Sequence, residues 1–357
     1  MSEHEPAALS RLRERVRSAA ASHAPLAIRA GGTKDFYGNA GGGGTLLDPR
    51  ELAGIVDYEP TELVVTVRAG TPLAELESTL AARNQLLAFE PPHLGANATV
   101  GGAVAAGLSG PRRMAAGSVR DFVLGARLID GRGELLSFGG RVMKNVAGYD
   151  MARVLAGSLG TLGVITEVSL KLLPRPVAEC TLRFDMDEAT SITRLNEWAG
   201  QPLPISASAR LDGTLHLRLS GANAAVGAAR LRLGGTAMDD STLWADLREQ
   251  RHTFFSISGD EALWRVAVRS TTPPLALGPT LIEWNGGQRW LRGTLDAARL
   301  RAAAAAAGGH ATRFRGGNRQ APAFHPLEPL QARLHQRLKA EFDPAGIFNP
   351  GRLIPQG

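Results

Sequence analysis

The sequence contains a single cysteine, Cys180, and only four lysines among its 357 residues. One cysteine cannot form an internal disulfide, and it cannot supply the four thiolates that an iron–sulfur cluster usually takes. If electrons leave this protein through such a cluster, another subunit must therefore hold it. Long apolar runs are missing as well, since no stretch approaches the ~20 uncharged apolar residues that a membrane-spanning helix needs.

Basic residues outnumber acidic ones, which gives a net charge of +6. The arginines are scattered through apolar and acidic sequence, without a lysine-rich tail or a basic stripe studded with aromatic residues. This pattern argues against nucleic-acid binding. Residues 1–24 carry charges throughout and lack the apolar centre of a signal peptide, so we expect a helix and a cytoplasmic location. Peripheral association with the inner membrane through partner subunits is the alternative.

The composition changes twice along the chain and divides it into segments 1–176, 177–320 and 321–357. The first segment is dense in glycine, and its short β-rich runs are bounded by turn residues. In the second segment strands and helices alternate, which is typical of an α+β domain whose antiparallel sheet is covered by helices. The third contains an amphipathic helix over Leu327–Phe342 and a proline-punctuated tail.

Three glycine-rich segments could bring the backbone close to a ligand. Ala30-Gly31-Gly32-Thr33-Lys34 follows a predicted strand, although a bare Gly-Gly turn is more often structural. Small residues fill Thr99–Gly110, which suits close helix packing as well as a flat ligand. Gly157–Thr166 is a glycine-spaced turn that leads into a β-branched strand. The tract Gly41–Gly44 is expected to be a surface loop.

Several common functional sites are excluded by the absence of their motifs. The sequence has no G-x-x-x-x-G-K-[ST] phosphate loop, no G-x-G-x-x-G between strand and helix, no G-x-S-x-G and no H-E-x-x-H. The eight histidines are dispersed without a pair at ligand spacing, so no metal site is predicted. No catalytic residue can be assigned either.

The order of these segments resembles the vanillyl-alcohol oxidase/p-cresol methylhydroxylase family of flavoproteins. The resemblance rests on the two glycine segments near Gly31 and Gly101 and on the run KNVAGYD…GSLGTLGVITEVSLKLLPRP, from Lys144 to Pro176. The terminal FDPAGIFNPGRL, Phe342–Leu353, also looks like the family's C-terminal signature. Within the family the chain is most similar to the FAD-binding subunits of bacterial glycolate oxidases, including the stretch Ser109–Gly125.

The resemblance implies an α+β fold, with a two-subdomain FAD-binding domain of the p-cresol methylhydroxylase type and an antiparallel-sheet cap. It implies a pyrophosphate site in the first glycine loop, and contacts to the rest of FAD from the other segments and the tail. The residues that it places against FAD are Ala30, Gly31, Gly32, Thr33, Lys34, Thr99, Val100, Gly101, Gly102, Ser109, Gly110, Gly117, Gly163, Val164, Ile165 and Asn349.

The chain departs from the family pattern at two places. Relatives with covalent flavin carry a histidine in the first loop, where this chain has Thr33 and Lys34, so we predict non-covalent FAD. The His-x-Gly-Asp-Gly-Asn segment of the larger catalytic relatives is absent. A 2-hydroxy-acid oxidase also needs a cation for the substrate carboxylate. The candidates for this cation are Arg112, Arg113, Arg313 and Arg315. Each of these arginines also suits a solvated or ion-paired position at the surface.

These features predict an FAD-binding subunit of a glycolate or other 2-hydroxy-acid oxidase complex. Its partners would be a larger catalytic FAD subunit and an iron–sulfur subunit. Two alternatives stay open: a stand-alone FAD-dependent oxidoreductase acting on an alcohol, polyol or sugar, and a structural partner whose flavin site has decayed.

Overall fold

A computed structural model describes residues 6–41, 43–140, 150–238 and 242–355. The Lys144–Tyr149 part of the sequence motif lies outside these ranges. The helices of the described residues are α1 (Ala7–Ser22), α2 (Leu73–Ala81), α3 (Val100–Ala106), α4 (Arg113–Ala116), α5 (Val119–Phe122), α6 (Glu188–Ala199), α7 (Asn223–Leu233), α8 (Leu243–Glu249), α9 (Ala297–Ala306) and α10 (Pro329–Phe342).

Two main sheets and two short strand pairs make up the β-structure. The strands before the cap are β1 (Leu26–Ile28), β2 (Thr45–Leu47), β3 (Ile55–Glu59), β4 (Val64–Arg68), β5 (Gln85–Leu86), β6 (Val123–Ile129), β7 (Leu135–Gly139), β8 (Val164–Lys171) and β9 (Leu173–Pro174). The remaining strands are β10 (Ala178–Asp185), β11 (Ile205–Leu211), β12 (Thr214–Gly221), β13 (Thr236–Met238), β14 (Ala262–Ala267), β15 (Thr280–Glu283), β16 (Gln288–Gly293) and β17 (His310–Gly316).

The first domain is built on an antiparallel sheet with the order β3-β4-β8-β6-β7. Helix α2 packs against it through Leu73, Leu76 and Leu80, each at most 1% exposed. Their spacing of three and four residues places them on one face of the helix, as the sequence predicts. Helix α3 joins the same core and ends at Gly107, whose φ of 67° favours glycine.

The two ends of the chain meet beside β1. Helix α1 buries Leu9, Leu12 and Val16 in a cluster that also contains Phe348 from the C-terminal tail. Phe348 forms a parallel bridge with Leu26, so the tail extends the β1–β2 pair. The C-terminal segment therefore returns to the first domain, which is where the sequence resemblance places it.

The cap is an antiparallel sheet with the order β13-β10-β12-β11-β15-β16-β14-β17. Helices α6, α7 and α9 pack on it through two apolar clusters. Ala209, Trp290 and Phe314 belong to a third cluster, which also includes Tyr37 and Leu108 of the first domain. The cap therefore has helices against its sheet and makes an apolar contact with the first domain.

A partly buried ion-pair network reinforces this junction. Glu90 of the first domain accepts hydrogen bonds from Arg112 N at 2.8 Å and from Arg218 Nη2 on β12 at 2.8 Å. Arg112 also reaches Glu179 on β10 at 3.1 Å. Breaking a buried pair of this kind usually costs ~3–5 kcal/mol, because one charge is left without a partner. The network, called the Glu90 cluster below, therefore ties β10 and β12 to the first domain.

The predicted fold class is confirmed: the structure is α+β with an antiparallel cap sheet. The segment limits 1–176, 177–320 and 321–357 stay predictions; the eight cap strands lie between Ala178 and Gly316. Within the described ranges, no helix has the length and apolar character needed to cross a membrane.

Candidate functional site

A cavity of about 400 Å³ opens where the three glycine-rich segments of the first domain meet. Strand β1 leads into it from one side, α3 begins beside it, and the turn before β8 closes a third side. The lining residues are Ala27, Ile28, Arg29, Ala30, Gly31, Gly32, Thr33, Lys34, Asp35, Gly41, Gly43, Pro49, Ala69, Thr99, Gly101, Gly102, Ala105, Ala106, Leu159, Gly160, Gly163, Val164, Ile165, Asn349 and Arg352.

The five consecutive residues of the loop Ala30–Lys34 all line this cavity, and each has a backbone N–H group. Among the residues that the structure describes, none of these five groups has an intramolecular hydrogen-bond acceptor. Glycine is required at Gly31, because a Cβ there would lie 1.6 Å from the carbonyl oxygen of Asn97. Gly32 has a φ of 70°, a left-handed conformation that favours glycine. Such a run of free donors suits an anion.

The N-terminus of α3 works differently, since its first amides are already bonded. Val100 N donates to Thr71 O and Gly101 N donates to Ala69 O, at 3.0 and 2.8 Å. Gly102 N donates to the capping hydroxyl of Thr99 at 3.2 Å. This helix start therefore contributes a small-residue wall to the cavity and not a set of free donors.

The turn Leu159–Gly163 supplies the opposite wall. Gly160 has a φ of 70°, and a Cβ at this position would meet the Asn349 amide nitrogen at 2.8 Å. Asn349 holds the turn in place: its Nδ2 donates to Leu159 O and its Oδ1 accepts from Ile28 N, both at 2.7 Å. Asn349 therefore lines the cavity while its amide is committed to joining the tail, β1 and this turn.

Lys34 is a half-buried cation of the site. Its ammonium donates to His93 O at 3.0 Å and to Thr33 Oγ1 at 3.2 Å. Burial lowers the pKa of Lys34 to about 8, and the carboxylate of Glu249 opposes this shift. Arg352 fixes the end of the loop by donating to the carbonyls of Lys34 and Asp35, at 3.2 and 3.0 Å.

A second cavity of about 190 Å³ adjoins the first and shares Ala106 with it. Its aromatic walls, Tyr37 and Phe324, pack edge to face with ring centroids 5.7 Å apart. The other residues that line it are Gly107, Arg113, Ser118, Val119, Arg120, Ala156 and Gly157. This cavity lies next to the cap, because Tyr37 and Phe324 pack in the apolar cluster that contains Phe314 of β17.

Twelve of the sixteen sequence-derived candidates line the main cavity. They are Ala30, Gly31, Gly32, Thr33, Lys34, Thr99, Gly101, Gly102, Gly163, Val164, Ile165 and Asn349. Four do not: Val100 is buried in the core, Ser109 Oγ accepts from Val119 N, Gly110 N donates to Phe89 O, and Gly117 ends α4.

Several residues that line the main cavity are not among the sixteen candidates for FAD contact. Ala105, Ala106, Leu159 and Gly160 belong to the small-residue runs of the second and third glycine-rich segments, so the pattern itself contained the information. Arg352 lies in the terminal signature Phe342–Leu353, from which only Asn349 was assigned. Gly41 and Gly43, expected in a surface loop, lie at the edge of the cavity.

Histidines and acids do not gather into a metal site among the described residues. His93 Nε2 lies 2.9 Å from Glu77 Oε2, and His310 opens β17 with a pKa lowered by burial and by Arg265.

The residues present fit a bound dinucleotide flavin. The free amides of Ala30–Lys34 and the Lys34 ammonium suit a diphosphate, since backbone donors and a cation can replace its hydration. The small residues of α3 and of the turn at Gly160 leave room for flat rings against the backbone. The cavity therefore combines an anion-binding loop with narrow apolar walls.

Comparison with known proteins supports this interpretation. A family described as an FAD binding domain matches residues 4–139. Glycolate oxidase subunit GlcE of Escherichia coli (strain K12) is 48% identical over 97% of this chain and 97% of its own length. Glycolate oxidase subunit GlcD of Bacillus subtilis (strain 168) is 33% identical over 39% of this chain and 30% of its own length.

The fold of nearly the whole chain is also similar to that of a solved structure. An alkyldihydroxyacetonephosphate synthase superposes with a TM-score of 0.65 over 96% of this chain and 76% of its own, at 17% identity. At that identity the match shows the fold alone. Together with the near full-length match to GlcE, these comparisons show that the chain belongs to the FAD-binding flavoprotein family that includes glycolate oxidase subunit GlcE.

Proposed function

We propose that this chain is the FAD-binding subunit of a complex that oxidises glycolate or a closely related 2-hydroxy acid. The observation that carries the proposal concerns the five backbone amides from Ala30 to Lys34 at the main cavity, which have no intramolecular acceptor among the described residues. A near full-length relative that is a glycolate oxidase subunit supports the substrate class. The redox chemistry would be supplied by the flavin, and the protein would supply binding and electrostatics.

The diphosphate would bind to Ala30, Gly31, Gly32, Thr33 and Lys34. Thr99, Gly101 and Gly102 would form one wall beside it, and Gly163, Val164 and Ile165 would form the other. Asn349 would act by holding the turn at Leu159, because both polar atoms of its amide are engaged there. Val100, Ser109, Gly110 and Gly117 would support the site from outside the main cavity.

The isoalloxazine end would point towards Ala106, where the two cavities adjoin. A redox ring at this position would lie next to the cap. Gly163, Val164 and Ile165 also line the main cavity, and Val164 is fully buried. The arrangement supports placing the reacting end at the domain junction.

The FAD would be dissociable. The main cavity is lined by no histidine, cysteine or tyrosine within the described residues. Thr33 Oγ1 and Lys34 Nζ, which stand where covalent relatives carry a histidine, bond to each other at 3.2 Å. Tyr37 lines the adjoining cavity, but its hydroxyl accepts a hydrogen bond from Arg265 at 3.0 Å.

Turnover would require partner subunits. The described residues contain no metal-ligand group of histidines and acids, and the sequence has one cysteine. A larger flavoprotein resembling GlcD would therefore hold the substrate-oxidising site, and a separate subunit would hold any iron–sulfur cluster. This chain would then act in the cytoplasm, reaching a membrane only through those partners.

The test starts with the visible spectrum of the purified chain, followed by acid precipitation. A flavin spectrum with FAD in the supernatant is expected. Colour in the pellet would contradict the dissociable cofactor, and a colourless chain that takes up no added FAD would contradict FAD binding. Glycolate-dependent dye reduction is then compared between the chain alone and the chain coexpressed with a GlcD-like subunit. Rapid turnover by the chain alone would contradict the assignment of substrate oxidation to the partner subunit.

A further inference from the structure

Helix α10 is anchored to the first domain mainly at its C-terminal end. The structure describes all 14 of its residues, and Phe342 is the one that is buried. Leu338 packs against the core of the first domain, and Lys339 Nζ donates at 2.7 Å to Thr161 O, in the turn that walls the main cavity. Within the described part of the chain, no side chain of residues 329–337 makes a hydrogen bond or an ion pair.

The N-terminal part of this helix and the residues just before it expose several large apolar side chains. Leu327, Leu330 and Leu334 are 40%, 61% and 50% exposed. They are three of the eight large apolar residues exposed in the described part of the chain, and they fall within eight consecutive positions. Single exposed leucines are common, whereas a contiguous apolar patch usually marks an interaction site. A helix of this length is also marginal in water without packing. The patch therefore indicates a surface that another molecule covers.

Two arginines stand among these leucines. Arg333 follows Leu330 by three residues, and Arg337 follows Leu334 by three, so each arginine shares a helix face with a leucine. Both arginine side chains are exposed, and neither has a carboxylate oxygen within 4.0 Å among the described residues. The exposed acids of this segment stand at its two ends. The middle of the face is therefore both apolar and positively charged.

The mixture of leucine and arginine on one face favours a protein over a membrane as the occupant. A helix that lies in a lipid surface places its basic residues opposite its apolar residues. Here the two kinds share a face, and residues 327–341 contain no Phe, Tyr or Trp. A protein surface offers apolar contacts and carboxylates at matching points, and arginine is enriched in such interfaces. A second copy of this chain is disfavoured, because each copy carries a net charge of +6.

We propose that the face of α10 and its preceding residue that is formed by Leu327, Leu330, Arg333, Leu334 and Arg337, called the α10 face below, binds the larger flavoprotein subunit of the complex. The matching surface of that subunit would be apolar, with carboxylates at its rim that pair with the two arginines. The identity of the partner rests on the proposed function, whereas the face itself follows from the contacts of this chain.

The test is coexpression of the full chain with a GlcD-like subunit, followed by gel filtration and by titration of one purified subunit with the other. Leu330→Gln combined with Leu334→Gln keeps good helix formers and is expected to weaken association about a hundredfold, because two central apolar contacts are lost. Arg333→Glu combined with Arg337→Glu is expected to weaken association by a similar factor at low salt. That effect should shrink at high salt, since screening reduces the repulsion.

The matched control is Leu231→Gln combined with Arg232→Glu on α7, since both side chains are exposed outside the α10 face. FAD content and the midpoint of urea unfolding are measured on every variant. Both are expected to be unchanged, because the substituted side chains are exposed. Hydrogen exchange of the wild type is a second measurement that needs no variant. The backbone amides of residues 330–337 should exchange more slowly in the complex than in the free chain.

Unchanged association of the double leucine variant, or exchange at residues 330–337 that the partner does not slow, would overturn the α10 face and leave the proposed function intact. A wild-type chain that binds FAD but does not associate with the GlcD-like subunit would instead contradict the proposed complex. Self-association of the wild type that the leucine variant loses would overturn the partner assignment in favour of a second copy. Binding to phosphatidylglycerol vesicles that the same variant loses would overturn it in favour of a membrane.

Discussion

The two sides of the cavity region are made of different chemical groups. In the first domain, the loop Ala30–Lys34 presents backbone N–H groups, and the walls at Gly102 and Gly160 are bare backbone. On the cap side the polar groups are side chains. Glu283 accepts from Gln288 and Trp290 at 2.8 and 2.6 Å, and Arg218 is 4% exposed while it pairs with Glu90.

This difference determines how each side responds to substitution. A backbone site depends on glycine only where a Cβ would clash with a neighbour or where the backbone adopts a positive φ. It tolerates substitutions elsewhere. A side-chain network loses a buried partner with every substitution, and the remaining charge keeps its desolvation cost. We therefore expect changes in the first domain to alter FAD affinity, and changes at the cap junction to alter the free energy of unfolding.

The largest effect is expected for Gly102→Asp. A Cβ at Gly102 would meet only Thr99 Oγ1 at 3.0 Å, so the carboxylate would extend into the cavity. An aspartate favours a helix N-terminus, so α3 should persist. Repulsion of the diphosphate should weaken FAD binding by about a hundredfold or more, ~3 kcal/mol. Fluorescence titration with FAD measures this. Gly227→Asp, on the exposed side of α7, is the control, and an unchanged affinity in Gly102→Asp would contradict the site assignment.

The next largest effect is expected on the cap side, in the free energy of unfolding. Glu90→Gln keeps the size of the side chain but leaves Arg218 and Arg112 without their shared carboxylate. We expect a loss of ~2–4 kcal/mol in the free energy of unfolding, measured by urea denaturation. Glu51→Gln breaks an exposed pair with Arg11 and should change stability by less than ~0.5 kcal/mol. Equal effects of the two variants would show that the Glu90 cluster contributes no more than a surface pair.

The same contrast explains what could be predicted from the sequence. Each glycine segment is a short run of neighbouring residues, so local rules, such as a tight turn after a strand, are enough to locate Gly31, Gly101 and Gly163. Helix α6, Glu188–Ala199, also has local signals in the sequence, since Asp187 caps it and Ile192 and Leu195 lie on its buried face.

The junction could not be predicted in this way. Arg265 and Tyr37 are 228 residues apart in the chain, and Glu90 and Arg218 are 128 apart, so no local pattern joins them. Asn349 was singled out from the tail signature and lines the main cavity, but its contacts with Ile28 and Leu159 depend on three distant segments meeting. Pairings of this kind follow from the packing of the two domains and not from periodicity.

A pH effect on stability is expected from Glu283. Burial raises the pKa of its carboxyl to about 7, above its ordinary value of 4.5, and hydrogen bonds from Trp290 and Gln288 oppose the shift. The folded state therefore binds more protons than the unfolded state between about pH 4.5 and 7. The contribution to stability is fully present below pH 4.5 and is lost as the pH rises to about 7, by up to ~1.4 kcal/mol per pH unit.

Glu283→Gln should remove this dependence. The difference in unfolding free energy between the wild type and the variant should change by ~1–3 kcal/mol in favour of the variant from pH 5 to pH 7.5. Chemical denaturation at several pH values measures it, with the exposed Glu75→Gln as control. A difference that stays constant with pH would show that Glu283 titrates normally.

The smallest effect is expected in the loop Ala30–Lys34, where Lys34 is a half-buried charged side chain. With a pKa of about 8 in the free protein, Lys34 loses its proton above that pH, whereas the diphosphate binds the protonated form best. FAD affinity should therefore fall by about tenfold between pH 8 and 9.5. Lys34→Met should bind FAD about tenfold more weakly at pH 7 and show little dependence on pH. Lys171→Met, at the far end of β8, should keep the wild-type profile. An identical pH profile in Lys34→Met would mean that the amides alone hold the diphosphate, which would make the first domain a purely backbone site.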